Sequence, residues 1–337
     1  MNPTFDGFVD AYYAFDSNRP PDHEREFTTQ PARHNEFNLN LASVGVSVKE
    51  EKIRGRLALQ FGNSVTKNTY FEPVSGKTSG PNETKNFQEA YVGTRIAADT
   101  WIDLGIYLGH IGAESWISKD NWTYSRALML DYVPYYSAGV RLTHKIDEKS
   151  GLQLHLINGW QNVSENNSGK AVGFQYQRQL TQDLLYIYNN FFGDEIVVGS
   201  RPRFRAYHDF ILKWMASDRW QYLLSADFGH QAQQEKRGVD AWGATAVTVR
   251  RVLRDGQSVS FRSEYYNDRH QANVETATAN GFQVLGASTN FDQKFEGNAM
   301  WRTELRALYS KDKIYPKRAS GKNNWDGVLV TSLSMWF

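Results

Sequence analysis

Two places in the chain set side by side residue types that can do proton chemistry: His208 next to Asp209, and His110 with Ser115 shortly after it. An imidazole held by a carboxylate can act as a general base for a hydroxyl nucleophile. The first pair fails on geometry, because neighbours in an extended strand point to opposite faces and His208 and Asp209 cannot form a dyad. The second stands in no recognisable frame. No G-x-S-x-G, H-E-x-x-H, P-loop or dinucleotide fingerprint occurs anywhere. The eight histidines are scattered singly without metal-ligand spacing, and with no cysteine there is neither a thiolate site nor a disulfide. No catalytic centre, metal or cofactor is expected.

What the chain does hold in quantity is charge confined to one side of alternating segments. In 5–16, Asp6, Asp10 and Asp16 fall on one face, and Phe5, Val9, Ala11, Tyr13 and Phe15 on the other. Continued along the chain, that rule gathers Asp6, Asp10, Glu36, Glu89, Asp103, Asp209, Asp227, Glu264 and Glu304 with Arg54, Arg56, Arg95, Arg141, Lys213, Arg262, Arg302 and Arg306 on the polar faces. Both signs occur in similar number. An Arg or Lys facing lipid at mid-depth costs about 2–4 kcal/mol, whereas one facing water is solvated or paired. These faces are therefore expected to line a wet interior, most of the charges serving the wall and a minority meeting a solute.

The elements that position them are strands. Segments 35–48, 53–62, 86–97, 101–111, 136–146, 151–161 and 170–179 repeat the alternation, as do 203–215, 220–231, 258–268 and 297–309, while 240–250 is a weaker strand. Segments 184–194 and 281–291 are strand-like with ambiguous facing, and a phase change near Ser43 suggests a bulge. The last segment, W-D-G-V-L-V-T-S-L-S-M-W-F over 325–337, sets Leu329, Leu333, Met335 and Phe337 against Ser332 and Ser334. That makes about sixteen strands, with short and long connectors in alternation, as in outer-membrane barrels. An apolar band of roughly 25 Å crossed by tilted strands needs about ten residues per pass, and most segments have ten to fourteen. A soluble sandwich gives no reason for connectors segregated by length.

Composition agrees. Mean hydropathy is −0.59, and no apolar run approaches the roughly 18–20 residues of a membrane-spanning helix. Yet aromatics make up 14% of the chain, as a barrel with aromatic girdles and a polar lumen would require. Lys+Arg 38 against Asp+Glu 37 leaves a net charge of +1, with no field to attract nucleic acid. No stretch with the pattern of an export signal precedes Asn2, which fits a mature chain carrying an added Met1.

One connector differs from the rest. Segment 112–135 is apolar and aromatic where the other long loops are polar, and Asn121 or Thr123 could cap a short helix running to Leu130. It is expected either to fold into the lumen, with Asp120, Arg126 and Asp131 near a constriction, or to pack on the rim or a partner. At these residues the sequence resembles a known family. D-A-Y-Y-A-F-D, R-H-N-E-F-N-L-N-L-A, H-I-G-x-E-S, K-D-N-W-T-Y-S-R-A-L, R-S-E-Y-Y-N-D and R-T-E-L-R together are similar to the OmpL-like β-barrel porin family, over essentially the whole chain. The resemblance implies one transmembrane antiparallel barrel over 1–337 in the outer membrane of a Gram-negative bacterium, and brings no catalytic or ligand-binding residues with it. The expected function is passive diffusion of small hydrophilic solutes, with outer-membrane lipid around the wall. The alternative is an occluded structural barrel bound to other outer-membrane proteins; a homo-oligomer is compatible with either.

Overall fold

Period-two alternation makes each of these segments extended, and the structure is built almost wholly from them. The computed structural model describes residues 2–195, 201–233 and 238–337. Its first strands are β1 (Thr4–Asp16), β2 (Phe37–Lys49), β3 (Ile53–Phe61), β4 (Phe87–Ala97), β5 (Thr100–Leu108) and β6 (Tyr136–Lys145). Next come β7 (Ser150–Ile157), β8 (Ala171–Gln179), β9 (Leu184–Glu195), β10 (Arg203–Trp214), β11 (Trp220–Ala232) and β12 (Val239–Arg254). The wall is completed by β13 (Gln257–Asp268), β14 (Phe282–Phe295), β15 (Ala299–Ser310) and β18 (Trp325–Trp336). In the last long connector β16 (Tyr315–Pro316) and β17 (Lys322–Asn323) form a small separate hairpin. Sixteen strands close into an antiparallel barrel, each beside its sequence neighbour.

Closure is made by the chain ends. β1 runs against β18 from Phe8 opposite Trp336 to Asp16 opposite Val328. The terminal Phe337 exchanges both main-chain hydrogen bonds with Gly7, at 3.1 and 3.2 Å. The Phe337 ring lies over Gly7, where a Cβ would come within 2.3 Å of it. On β18 Leu329, Leu333, Met335 and Phe337 are exposed on the outer face, while Ser332 and Ser334 are buried inside. Seven connectors of two to five residues alternate with eight longer ones.

The register settles facings that alternation left open. Asn189 lies opposite Asp209 and Asn290 opposite Glu304, so Asn189, Asn290 and Asp292 all point inward. The phase break expected near Ser43 falls slightly earlier: Asp10 pairs Leu41 and Ala11 pairs Leu39, leaving Asn40 as the extra residue. Such a bulge sets two residues against one, so Leu41 is buried inside and not on the outer face that its spacing from Phe37 and Leu39 implied. Trp160, expected on a strand over 151–161, lies beyond the end of β7 and packs on Phe191 and Tyr207, each at 5.0 Å. Wall height is uneven. β3 to β8 have eight to eleven residues each, β9 to β15 twelve to sixteen.

The outward assignment predicts that Leu305→Arg, on the exposed face of β15, destabilises the barrel by about 2–4 kcal/mol, read by urea unfolding in lipid vesicles. Deleting Phe337 removes the last closure bonds, and a clear loss of heat-modifiable, folded barrel from the outer membrane is expected.

Candidate functional site

The segment between β5 and β6 turns away from the wall at once. Gly109 is crowded by the Pro134 carbonyl, which a Cβ would meet at 2.2 Å. His110 tucks against Gly173, stacks on His155 at 4.0 Å and meets the Asn190 carbonyl through Nε2 at 2.9 Å. Gly112 adopts φ +103°, in the region that favours glycine, and donates its N–H to the Asp209 carboxylate at 2.8 Å. Beyond it Trp116 enters an apolar cluster with Phe8, Leu41, Val65, Tyr135 and Tyr136. A 3-10 turn, Ser118–Asp120, follows, with the Ser118 hydroxyl donating to Asp10 at 2.8 Å.

Residues 121–131 are all buried. Trp122 packs on Ile211 and Leu223, inside β10 and β11. Tyr124 packs on Tyr12, Ala14, Val328 and Val330, inside β1 and β18. The short helix α1 (Leu128–Asp131) adds Leu128, Met129 and Leu130 to a cluster with Tyr107, Phe191, Tyr207, Trp242, Tyr266 and Leu308. A single segment thus touches inward faces on opposite sides of the barrel.

Its main chain cannot satisfy itself in so short a helix, and the wall supplies partners. Arg302, held by Asp292 at 2.7 Å, donates to the carbonyls of Ser118 and Asn121. Arg262 donates to the Thr123 hydroxyl at 2.6 Å and to the Ser125 carbonyl at 2.7 Å. Glu304 accepts from the Ser125 N–H and hydroxyl, Asn290 from the Tyr124 N–H, and Glu264 from the Leu128 N–H. Arg306 pairs with Glu264 at 2.7 Å. Charge-assisted hydrogen bonds of this kind are roughly twice as strong as neutral ones.

The charges that alternation places inside therefore fall into separate groups. Arg262, Glu264, Arg302, Glu304 and Arg306 lie beneath the segment and are buried away from solvent. Nearer the short turns, Asp103 is fully buried between Arg54 and Arg141, both at 2.6–2.9 Å, and Arg141 sits over the Tyr107 ring at 4.5 Å. Arg56 pairs with Asp6 at 2.6 Å and with Glu89. Arg95 is exposed at a turn, bonded to the Ala97 and Ala98 carbonyls. Asp209 and Asp227 face each other across β10 and β11, bonded to Asn189 and Tyr207 respectively.

Within the segment the three expected residues are scattered. Asp120 is half-exposed beside Lys119, Arg126 lies over the Tyr135 ring at 3.9 Å, and Asp131 accepts from Thr29 and Tyr135. Burial pushes the Asp131 carboxyl above the usual carboxylate range, and the Glu114 carboxyl likewise, although Arg262 nearby partly offsets it. The sequence reading missed Asp292, Asn290 and Glu114. The first two alternate with Ser288 and were legible once the facing of β14 was known; Glu114, inside an irregular loop, gave no periodic signal. His208 points outward to the Tyr188 hydroxyl at 2.7 Å while Asp209 points inward, so the two do not form a dyad. Among the described residues no group of three or more His, Asp or Glu is placed to hold a metal ion.

A closed sixteen-strand antiparallel barrel with connectors of alternating length and an inward-folded loop is the architecture of an outer-membrane porin. The chain belongs to the family described as Putative beta-barrel porin-2, OmpL-like, which it matches over residues 3–337. Among solved structures it is similar to the anion-selective porin from Comamonas acidovorans, with 9% identity and a TM-score of 0.65 over 100% of this chain and 99% of that one. It is also similar to the trimer form of OmpT, an outer membrane protein of Vibrio cholerae, with 9% identity and a TM-score of 0.66 over 100% and 99%. OmpF of Salmonella typhi in complex with daunomycin gives 12% identity and a TM-score of 0.59 over 99% and 97%. At these identities the likeness is one of fold. No curated protein matches the chain. Family and fold together make it a Gram-negative outer-membrane protein of the porin type.

Replacing Asp103 by Ala strands two guanidinium groups in the wall, and a loss of about 3 kcal/mol or more is expected. Urea unfolding measures it. Asp103→Asn should fall between the two, since it keeps the shape and one acceptor.

Proposed function

We propose that the protein is a non-enzymatic porin-type channel for passive diffusion of small hydrophilic solutes, narrowed at mid-depth by segment 109–135. The supporting observation is a wall too wide for side chains alone to fill whose inward faces carry many acidic and basic groups beside apolar clusters. On the short-turn side Arg54, Arg56, Glu89 and Arg141 keep 13–19% of their side-chain surface exposed, and Asp120 keeps 47%. These groups, with Arg95, form a vestibule of mixed sign suited to weak charge selectivity. Arg126 and Asp131 belong to the constriction, and Asp103, Asp209 and Asp227 fix its supports. Arg262, Glu264, Arg302, Glu304 and Arg306, sealed beneath the segment, hold it in place and would line the path only if it moved away.

A second reading, an occluded barrel acting as a subunit of a larger outer-membrane assembly, draws support from the unbroken burial of 121–131. A homo-oligomer fits both readings. Along β5 and β7 of the low wall sector the outward side chains are aliphatic, Ile102, Leu104, Ile106 and Leu108 on one and Leu152, Leu154 and Leu156 on the other, with Phe174 and Tyr176 following on β8. One of the similar structures is itself a trimer form.

Planar-bilayer recordings separate the readings. For the channel, stepwise conductance is expected from the native protein, rising severalfold when 120–130 is excised. Unchanged conductance on excision would remove the constriction; silence of both proteins, with partners co-purifying, would favour the occluded subunit.

A further inference from the structure

The wall beneath segment 118–128 is not built as a permanent core would be. On β13, β14 and β15 it carries three cations, Arg262, Arg302 and Arg306, and three carboxylates, Glu264, Asp292 and Glu304, all buried. These already pair among themselves: Arg302 with Asp292 at 2.7 Å, Arg306 with Glu264 at 2.7 Å, Arg262 with Glu304 at 3.4 Å. The set is self-neutral. Uncovered, it would need nothing but water, because its ion pairs survive loss of the segment. From the segment's side the bonds are made mostly by main-chain N–H and C=O groups and by the Thr123 and Ser125 hydroxyls, all of which water serves equally well.

The apolar contacts divide the segment in the same way. Trp122 and Tyr124 each sit in a small cluster of their own, whereas α1 is embedded in the large one with Tyr107, Trp242 and Phe282. The start of the segment carries Gly109 and Gly112. Residues 118–127, anchored on one side at Trp116 and on the other at α1 and fastened between them by two small apolar clusters and by exchangeable polar bonds, can move as a unit.

We propose that residues 118–127 form a displaceable gate, fastened to the inner faces of β13, β14 and β15 by a polar latch centred on Arg302 and Asp292, and that releasing this latch opens the lumen. The inference rests on the channel reading, and its test uses two readouts so that the two can fail separately. Because the chain has no cysteine, an introduced thiol reports alone. Ser118 is fully buried at the end of the gate away from α1, so in Ser118→Cys the thiol reacts with a membrane-impermeant maleimide only when the gate moves. Adding Arg302→Gln should speed labelling by roughly tenfold or more, the scale expected from losing several charge-assisted bonds, and raise bilayer conductance in parallel. If Arg302→Gln leaves Asp292 unpaired and folds poorly, the charge-neutral double variant Arg302→Gln/Asp292→Asn takes its place, with heat-modifiable mobility confirming the barrel. The pair Asp10→Cys/Ser118→Cys, replacing side chains now in contact, should form a disulfide that abolishes conductance and is reversed by reductant. Unchanged labelling in both latch variants, with the barrel folded, overturns the gate. Faster labelling without conductance supports the gate and overturns the channel reading.

Discussion

In lipid every main-chain N–H and C=O has to find its partner within the protein, and an open sheet edge would leave several kcal/mol per group unsatisfied. That constraint governs this molecule from its ends inward. It forces β1 to meet β18, it gives Phe337 a hydrogen-bonding role beside Gly7, and it brings both chain ends to the side of the short turns. It also divides the side chains. With the backbone consumed by the ladder, each strand can only turn alternate residues to lipid and to the lumen, which is why Phe5, Val9 and Phe15 are exposed outside while Asp6 and Asp10 point in.

The same rule applies a second time inside the barrel. Segment 121–131 is as far from solvent as the wall itself, yet it has only one short helix to satisfy its own main chain. The remaining groups are met by Asn290, Glu304 and Glu264 for the N–H groups and by Arg262 and Arg302 for the carbonyls. Burying ionised groups normally costs several kcal/mol each unless they are paired and hydrogen-bonded. Here cations and carboxylates alternate along β13 and β15, so each is neutralised on the wall and turns its spare donors or acceptors to the loop.

Most of the barrel was legible because period-two alternation is the direct imprint of a two-sided sheet. Its sixteen segments, the alternation of connector lengths and the facing of β18 all follow from side-chain period and turn residues. What alternation cannot carry is local register. The bulge at Asn40 moves Leu41 inside, and β14, rich in Gly286, Ser288 and Asn290, offers too little contrast between faces to reveal Asp292. Nor can it tell wet charge from dry. Arg56 and Arg302 occupy equivalent inward positions, one half-buried beside Asp6 and Glu89, the other sealed under Ser118 and Asn121. The difference lies in a loop remote in sequence from both, whose unusual composition announced that it needed cover without showing which wall would give it.

That difference bears on why the covered wall is charged at all. An apolar wall would hold Trp122, Tyr124 and Leu128 at least as strongly, since replacing buried ion pairs by well-packed hydrophobic groups is often neutral or stabilising. It would not hold them in one place. Apolar surfaces are non-directional, and a segment sliding along one keeps most of its contact at every offset. Glu304 accepting two bonds from Ser125, Asn290 accepting one from Tyr124 and Arg302 clasping the Ser118 and Asn121 carbonyls permit a single offset. A shift by one residue would leave buried charged and polar groups unpaired, each at about 1–3 kcal/mol or more. The charged wall therefore contributes register more than adhesion, and a fastening specific in register but replaceable by water is what separates a movable closure from a filled core.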